Sequence, residues 1–508
     1  MLTIDFANTL SDRVGSHGLD PALLAPNSNA ARAIAAHTKK LASTRGTGWE
    51  RWRDLANEPM RSEHLKAVKA IANERRNRFD NLVVLGIGGS ALGNIALQSA
   101  LNPPTWNLLP SRASGMGGTG VPPVLHRTGP RLFVIDNVDP AYFQSTIDFC
   151  ASQPGGLKST LFNVISKSGE TAETAAQFMI LRDLLAKSLG PTAAANIVAI
   201  TDPAKGTMRR ICEREGYVTL PVPDGVGGRF SVLSPVGLFS AAMCGIDIDA
   251  LLDGAAAMDR RCSSENLLQN PAALLATILV ELGTSNGKTN HVLMPYHNSL
   301  YLLADWYRQI WAESLGKQKD LQGNTVYAGF TPIKALGTTD QHSQVQLYRE
   351  GPNDKVLGLV EVAPTPSASS SGMGGTGMGG TGVPPVHHTG DVQIPTGLGV
   401  EALQYLEGKT LGQLLHAEKR ATEYALVESQ RPNYTITFPT LNAYHVGEFI
   451  QLWQIATAYA GLLLNVDAYD QPAVELGKQA TFGLMGRAGY EKFLTQVSAT
   501  LTPTNWVV

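Results

Sequence analysis

The segment NLVVLGIGGSALGNIALQSAL at 81–101 limits the possible folds more than any other stretch of the chain. A five-residue apolar run, a glycine turn and an apolar helical run follow one another without a break. An apolar strand with no polar alternation needs cover on both faces, which a parallel sheet sandwiched between helices supplies. The same grammar returns downstream. RLFVIDNV at 131–138, TLFNVIS at 160–166 and NIVAITD at 196–202 read as further buried strands. Between the last two, TAETAAQFMILRDLLAKSLG reads as a helix stopped by Gly190 and Pro191. A second cycle begins near 270, where PAALLATILVELGTSNGK is helical, NHVLMPY a strand and LYLLADWYRQIWAESLGK a long helix. VLGLVEV at 356–362 reads as a later strand, LGQLLHAEKRATEYALVESQ as another helix, and EFIQLWQIATAYAGLLLNV as part of a helical ending.

Alternating strands and helices of this kind give an α/β class: two three-layer αβα units with parallel sheets, plus helical segments at both ends. The divisions fall at 1–75 (helical, with amphipathic spacing around 30–42 and 62–75), 76–240, 241–440 and 441–508. A chain of 508 residues exceeds one hydrophobic core, so more than one domain is expected. GMGGTGVPPV occurs at 115–124 and again at 377–386. Each copy lacks a preceding strand, and its Pro-Pro blocks the helix that a phosphate loop needs. Both are read as low-complexity insertions, at about 113–129 and 365–390, in surface loops between elements.

Composition narrows the function. Lys and Arg total 41 against 43 Asp and Glu, a formal charge of −2 that offers no footprint for nucleic acid. The uncharged stretches 81–111 and 230–246 are interrupted by glycine, proline or polar residues, so neither is expected to span a membrane. Cys150, Cys212, Cys244 and Cys262 show neither metal-site nor disulfide spacing, and MLTIDFANTLSDRVG is unlike a secretion signal. A cytoplasmic protein with reduced thiols is the expectation.

Candidate chemistry gathers after the strands. GIGGS at 86–90 offers glycines that allow close backbone approach and a hydroxyl at Ser90; the alternative is a turn that serves packing alone. SKSGETAET at 166–174 combines the hydroxyls of Ser166, Ser168 and Thr171 with the Lys167 ammonium at a helix start. That combination suits a phosphate monoester, and ordinary capping is the alternative. Glu170 adds an acid to this turn and is expected to face solvent. Arg229, in DGVGGRFSVLSP, either stabilises charge developing on oxygen or forms a surface ion pair. Glu313 stands near Trp306, Ile310 and Trp311, a setting that suits a general base, unless it pairs with Lys317 one turn on. His342, in GTTDQHSQVQLY, is a proton shuttle or a structural hydrogen bonder. Lys478, in NVDAYDQPAVELGKQ, is a site cation or a surface lysine.

The order and wording of these segments settle more than any one of them. DGVGGRFS, AESLGK, DQHSQVQL and YDQPAVELGK, preceded by GIGGS and the Ser-Lys-Ser turn, resemble the glucose-6-phosphate isomerase (phosphoglucose isomerase) family from about 80 to 480. The resemblance implies sugar-isomerase-type domains, a homodimer with sites at the subunit boundary, and glucose 6-phosphate–fructose 6-phosphate isomerisation in glycolysis and gluconeogenesis. Carried over, Glu313 moves the proton between carbons 2 and 1, Arg229 stabilises the enediolate, and His342 (from the neighbouring subunit) and Lys478 assist ring opening. Ser166, Lys167, Ser168 and Thr171 grip the phosphate; Gly89, Ser90, Gln309 and Gln471 line the sugar pocket. Such chemistry needs a base, an oxyanion stabiliser and a ring-opening acid, and neither a metal nor another cofactor. Another phosphosugar isomerase of the same fold should not share all of YDQPAVELGK, and a sugar-phosphate-binding regulator should lack the base or the arginine.

Overall fold

The computed structural model describes residues 1–111, 126–364 and 391–500; both GMGGTGVPPV copies lie outside the described residues. The chain opens with β1 (Thr3–Asp5), then α1 (Asn29–Thr44) and α2 (Met60–Arg75). The first unit follows as β2 (Asn81–Leu85), α3 (Leu92–Leu101), β3 (Arg131–Ile135), α4 (Pro140–Ser152), β4 (Thr160–Ile165), α5 (Ala172–Leu189), β5 (Ile197–Thr201), α6 (Thr207–Glu215) and β6 (Val218–Pro221). Its five strands are all parallel, in the order β3-β2-β4-β5-β6. Every residue of β2, β4 and β5 is buried. Along β2, Leu82 and Val84 face one core while Val83 and Leu85 face the other, the two-residue period of a strand covered on both sides.

Two core helices, α7 (Pro235–Met243) and α8 (Ile248–Arg261), lead to the second unit. It comprises α9 (Pro271–Ser285), β7 (Asn290–Pro295), α10 (Tyr301–Leu315), the hairpin β8 (Lys317–Lys319)–β9 (Thr325–Ala328), β10 (Thr331–Lys334), α11 (Thr339–Ser343), β11 (Lys355–Val362), α12 (Leu411–Glu428) and β12 (Asn433–Phe438). The sheet order is β1-β12-β11-β7-β10, parallel except for β1, which runs antiparallel to β12. The expectation of purely parallel sheets and a helical N-terminus is corrected here: the chain's first strand closes the edge of the second sheet. At three residues, β1 is too short to display a period.

The long helix α13 (Ala443–Leu463) packs against α8, α9 and α10. It is buried at every position from His445 to Gly461, the polar Glu448, Gln451 and Gln454 included. A Cβ at Gly447 would sit 1.9 Å from the Leu251 carbonyl oxygen, so the closeness of α13 to α8 requires glycine there. After α13 the chain ends in a helical pair, α14 (Ala473–Leu484) and α15 (Glu491–Thr500). Among the described residues no helix is long and apolar enough to cross a membrane, and all four cysteines are free and buried.

Candidate active site

In chain order the strands of the first sheet lie 2-1-3-4-5, so the path reverses beside β2, whose two neighbours are β3 and β4. In open parallel sheets, ligands collect beyond the carboxyl ends of the strands at such a reversal. GIGGS follows β2 and SKSGET follows β4, and both turns line a cavity of about 1170 Å³ that α10 and the 469–490 segment complete.

The glycines of the first turn serve proximity. A Cβ at Gly89 would lie 2.2 Å from the Gly228 carbonyl carbon and oxygen, so only glycine lets this turn meet the turn that carries Arg229. Arg229 is 3 % exposed and uses all five of its N–H groups. Nε donates to Ser314 Oγ at 2.7 Å. Nη1 donates to Glu313 Oε1 at 3.0 Å and to Gln471 Oε1 at 2.9 Å. Nη2 donates to the carbonyls of Ala468 (2.7 Å) and Asp470 (3.0 Å). Burial pulls the guanidinium below its ordinary pKa, while the Glu313 carboxylate opposes the shift.

Glu313 sits in the last turn of α10. Trp306, Ile310 and Trp311 fill the buried face of that helix, and the carboxylate instead looks into the cavity, held by a donor on each oxygen. Arg229 occupies Oε1, and Gln309, one turn back, donates to Oε2 at 3.0 Å. The surroundings are therefore polar, a correction to the apolar setting read from the sequence. The alternative pairing with Lys317 does not form either. Lys317 Nζ donates to the backbone carbonyls of Glu313 and Asp470, both at 2.9 Å, and caps the end of α10. Gln309 Oε1 is buried without a hydrogen-bond partner among the described residues, which leaves an acceptor beside the cavity.

At the other turn, Ser166 Oγ accepts from Gly169 N at 3.0 Å and Ser168 Oγ from Glu170 N at 3.1 Å. Thr171, the residue before α5, makes no capping hydrogen bond with its side chain. The first amides of a helix have no intrahelical acceptor, so this end offers N–H groups to an anion. Lys167 Nζ stands 3.8 Å from Asp224 Oδ1 and 5.1 Å from the centre of the Trp49 ring, which also lines the cavity. Glu170 is exposed; its Oε1 accepts from Thr207 Oγ at 3.1 Å and its Oε2 from Arg487 Nη2 at 3.0 Å. The Arg487 hydrogen bond holds that carboxyl below the usual range. Lys478, on α14, lines the cavity and donates to Glu475 Oε1 at 2.8 Å.

Gly89, Lys167, Ser168, Thr171, Arg229, Gln309, Glu313, Gln471 and Lys478 thus share one cavity. Ser90, Ser166 and His342 are not among its lining residues. Ser90 closes the short helical turn after β2, Ser166 is 4 % exposed and braces its own loop, and His342 is exposed on α11. Trp49, Asp224, Ser314, Asp470 and Arg487 were not singled out in the sequence. Asp224, Ser314 and Asp470 do lie inside the motif strings DGVGGRFS, AESLGK and YDQPAVELGK, whereas Trp49 and Arg487 owe their place to tertiary approach.

Two three-layer αβα units, with a polar cleft at the strand ends of one of them, define the sugar-isomerase class of α/β proteins. A family model described as phosphoglucose isomerase matches residues 69–357 and 401–488. The chain belongs to the phosphoglucose isomerase family. It is 42% identical over 431 residues to a glucose-6-phosphate isomerase of Carboxydothermus hydrogenoformans, covering 85% of this chain and 84% of that protein. With one of Rubrobacter xylanophilus it is 42% identical over 438 residues, covering 85% and 89%. Among solved structures, a hypothetical protein from Thermus thermophilus superposes with a TM-score of 0.75 at 33% identity, covering 96% of this chain and all of that one. A glucose-6-phosphate isomerase from Chlamydia trachomatis shares the fold at a TM-score of 0.67 and 22% identity, covering 92% and 81%.

Proposed function

We propose that the chain interconverts glucose 6-phosphate and fructose 6-phosphate, the step that joins aldose and ketose in glycolysis and gluconeogenesis. The observation that carries this reading is the contact between Arg229 and Glu313, 3.0 Å apart, in the cavity that also holds the Lys167–Thr171 turn. A carboxylate and a guanidinium side by side are the two groups that a proton shift next to a carbonyl demands. The substrate phosphate rests on Lys167, Ser168, Thr171 and the first amides of α5, with Ser166 bracing the loop from behind. Gly89 and Ser90 shape the sugar end, and the unpartnered Gln309 Oε1 and the Gln471 amide take its hydroxyls.

With the ring opened, Glu313 takes the proton from carbon 2 and returns it to carbon 1. Arg229 holds the enediolate oxygen through Nη1, which exchanges its present acceptors for the negative charge. Lys478 assists ring opening from α14. His342, exposed and outside its own chain's cavity, is supplied by a second copy, so the working unit is a homodimer in the cytoplasm. The reaction as written calls on no cofactor. Replacing Glu313 by Gln tests the assignment. Proton exchange at carbon 2 should fall about 10²–10⁴-fold while sugar-phosphate binding is kept; full activity in that variant removes the base.

A further inference from the structure

We propose that Glu170 and Arg487 form a latch that docks the C-terminal helical pair, and with it Lys478, onto the turn expected to hold the phosphate. The inference rests on the isomerase reading above for its effect on catalysis, while the latch itself is a feature of the ligand-free chain. The helices α14 and α15 pack chiefly on one another and present Leu476, Leu484, Met485 and Leu494 to solvent, with Phe493 as their buried apolar side chain. So little shared core leaves the placement of the pair to a few polar ties. Arg487, in the turn between the two helices, reaches across to Glu170.

An exposed ion pair is ordinarily worth little, because two long side chains must be frozen to make it. Here both are already held. The Arg487 guanidinium lies 4.5 Å from the Phe482 ring centre and 5.5 Å from that of Tyr490. The second oxygen of Glu170 is taken by Thr207 Oγ, and the Thr207 amide donates to the Ser168 carbonyl at 2.9 Å. A continuous chain of polar contacts therefore runs from the helical pair to the backbone of the turn. The pair has a second effect. A carboxylate in an anion-binding turn repels a bound dianion unless a cation offsets it, and Arg487 is that cation.

The two effects separate in a double-mutant cycle. Arg487→Gln should lower kcat and raise KM, each about three- to tenfold, because the latch is lost and Glu170 is left uncompensated. Glu170→Gln should lower kcat to a similar extent without raising KM, and the double variant should behave like Glu170→Gln alone. Amide hydrogen exchange over 473–500, measured without substrate, should quicken equally in all three variants. Unchanged exchange and kcat in Glu170→Gln, or KM effects that simply add, would overturn the latch. Wild-type protein without turnover on either hexose phosphate would defeat the isomerase reading instead, and the exchange measurement would still decide the latch.

Discussion

Arg229 spends every N–H it has on groups drawn from two separate stretches of chain, 313–314 and 468–471, so its position is set by the whole site rather than by its own turn. Arg229→Met should lower kcat about 10²–10³-fold, since the group offered to the developing oxyanion is gone. It should also reduce the unfolding free energy in urea by about 3 kcal/mol, because the Glu313 carboxylate loses its charged partner and two carbonyls lose their donors. Wild-type turnover in that variant would contradict the role. Arg229, Glu313 and Gln471 were legible because each lies in an uninterrupted string of specific residues. The serines show the limit of such reading. Ser166 has the composition of a phosphate ligand, yet its hydroxyl is engaged by the Gly169 amide, and no sequence pattern separates a hydroxyl turned inward from one turned toward a ligand. Trp49 is unreadable for another reason: nothing near it in the chain announces that Lys167, more than a hundred positions later, will lie over its ring.

Among strands, legibility tracks the length of the unbroken apolar run. The strands β2, β4, β5, β7 and β11 are nearly continuous apolar runs and stand out from the sequence. In the two five-stranded sheets the strands left unassigned, β1, β6, β10 and β12, read TID, VTLP, TPIK and NYTITF, which are short, interrupted by proline or alternately polar. Three of these four are sheet edges, where one side has no neighbour and the demand for apolar residues is relaxed. The contact between the turns at 86–90 and 228–230 gives an element-scale prediction. Gly89→Ala places a methyl group 2.2 Å from the Gly228 carbonyl, so the two turns must separate. The cost should be about 1–3 kcal/mol of stability, read from the urea midpoint. Activity should fall with it, because the displaced turn carries Arg229. Unaltered stability and turnover would mean that the turns yield without cost.

For the whole molecule, the joining of the two units was the least legible feature, since the helix that seals them, α13, comes from the segment read as a C-terminal helical piece that completes the active site. The placement of His342 leads to a mixing experiment. His342→Ala and Glu313→Gln should each be nearly inactive alone. If the histidine arrives from a second copy, subunit exchange between them should restore about a quarter of wild-type activity, since half of randomly re-paired dimers carry one intact site. No recovery from a mixture shown to exchange would exclude supply of the histidine by a second copy. The borders of the two stretches outside the described residues have a use of their own. Ser111 bridges to Arg127, whose amide donates to the Pro110 carbonyl at 3.0 Å and whose guanidinium is anchored on Gly129 and Asp80. Past the second stretch, Asp391 accepts from the Gly412 amide at 2.7 Å and fastens the returning chain to the start of α12. Contacts among the described residues thus hold the first border on both sides and the second on its returning side, so a peptide reporter or affinity handle spliced into either stretch should be carried as freight, with the neighbouring sheets keeping their register.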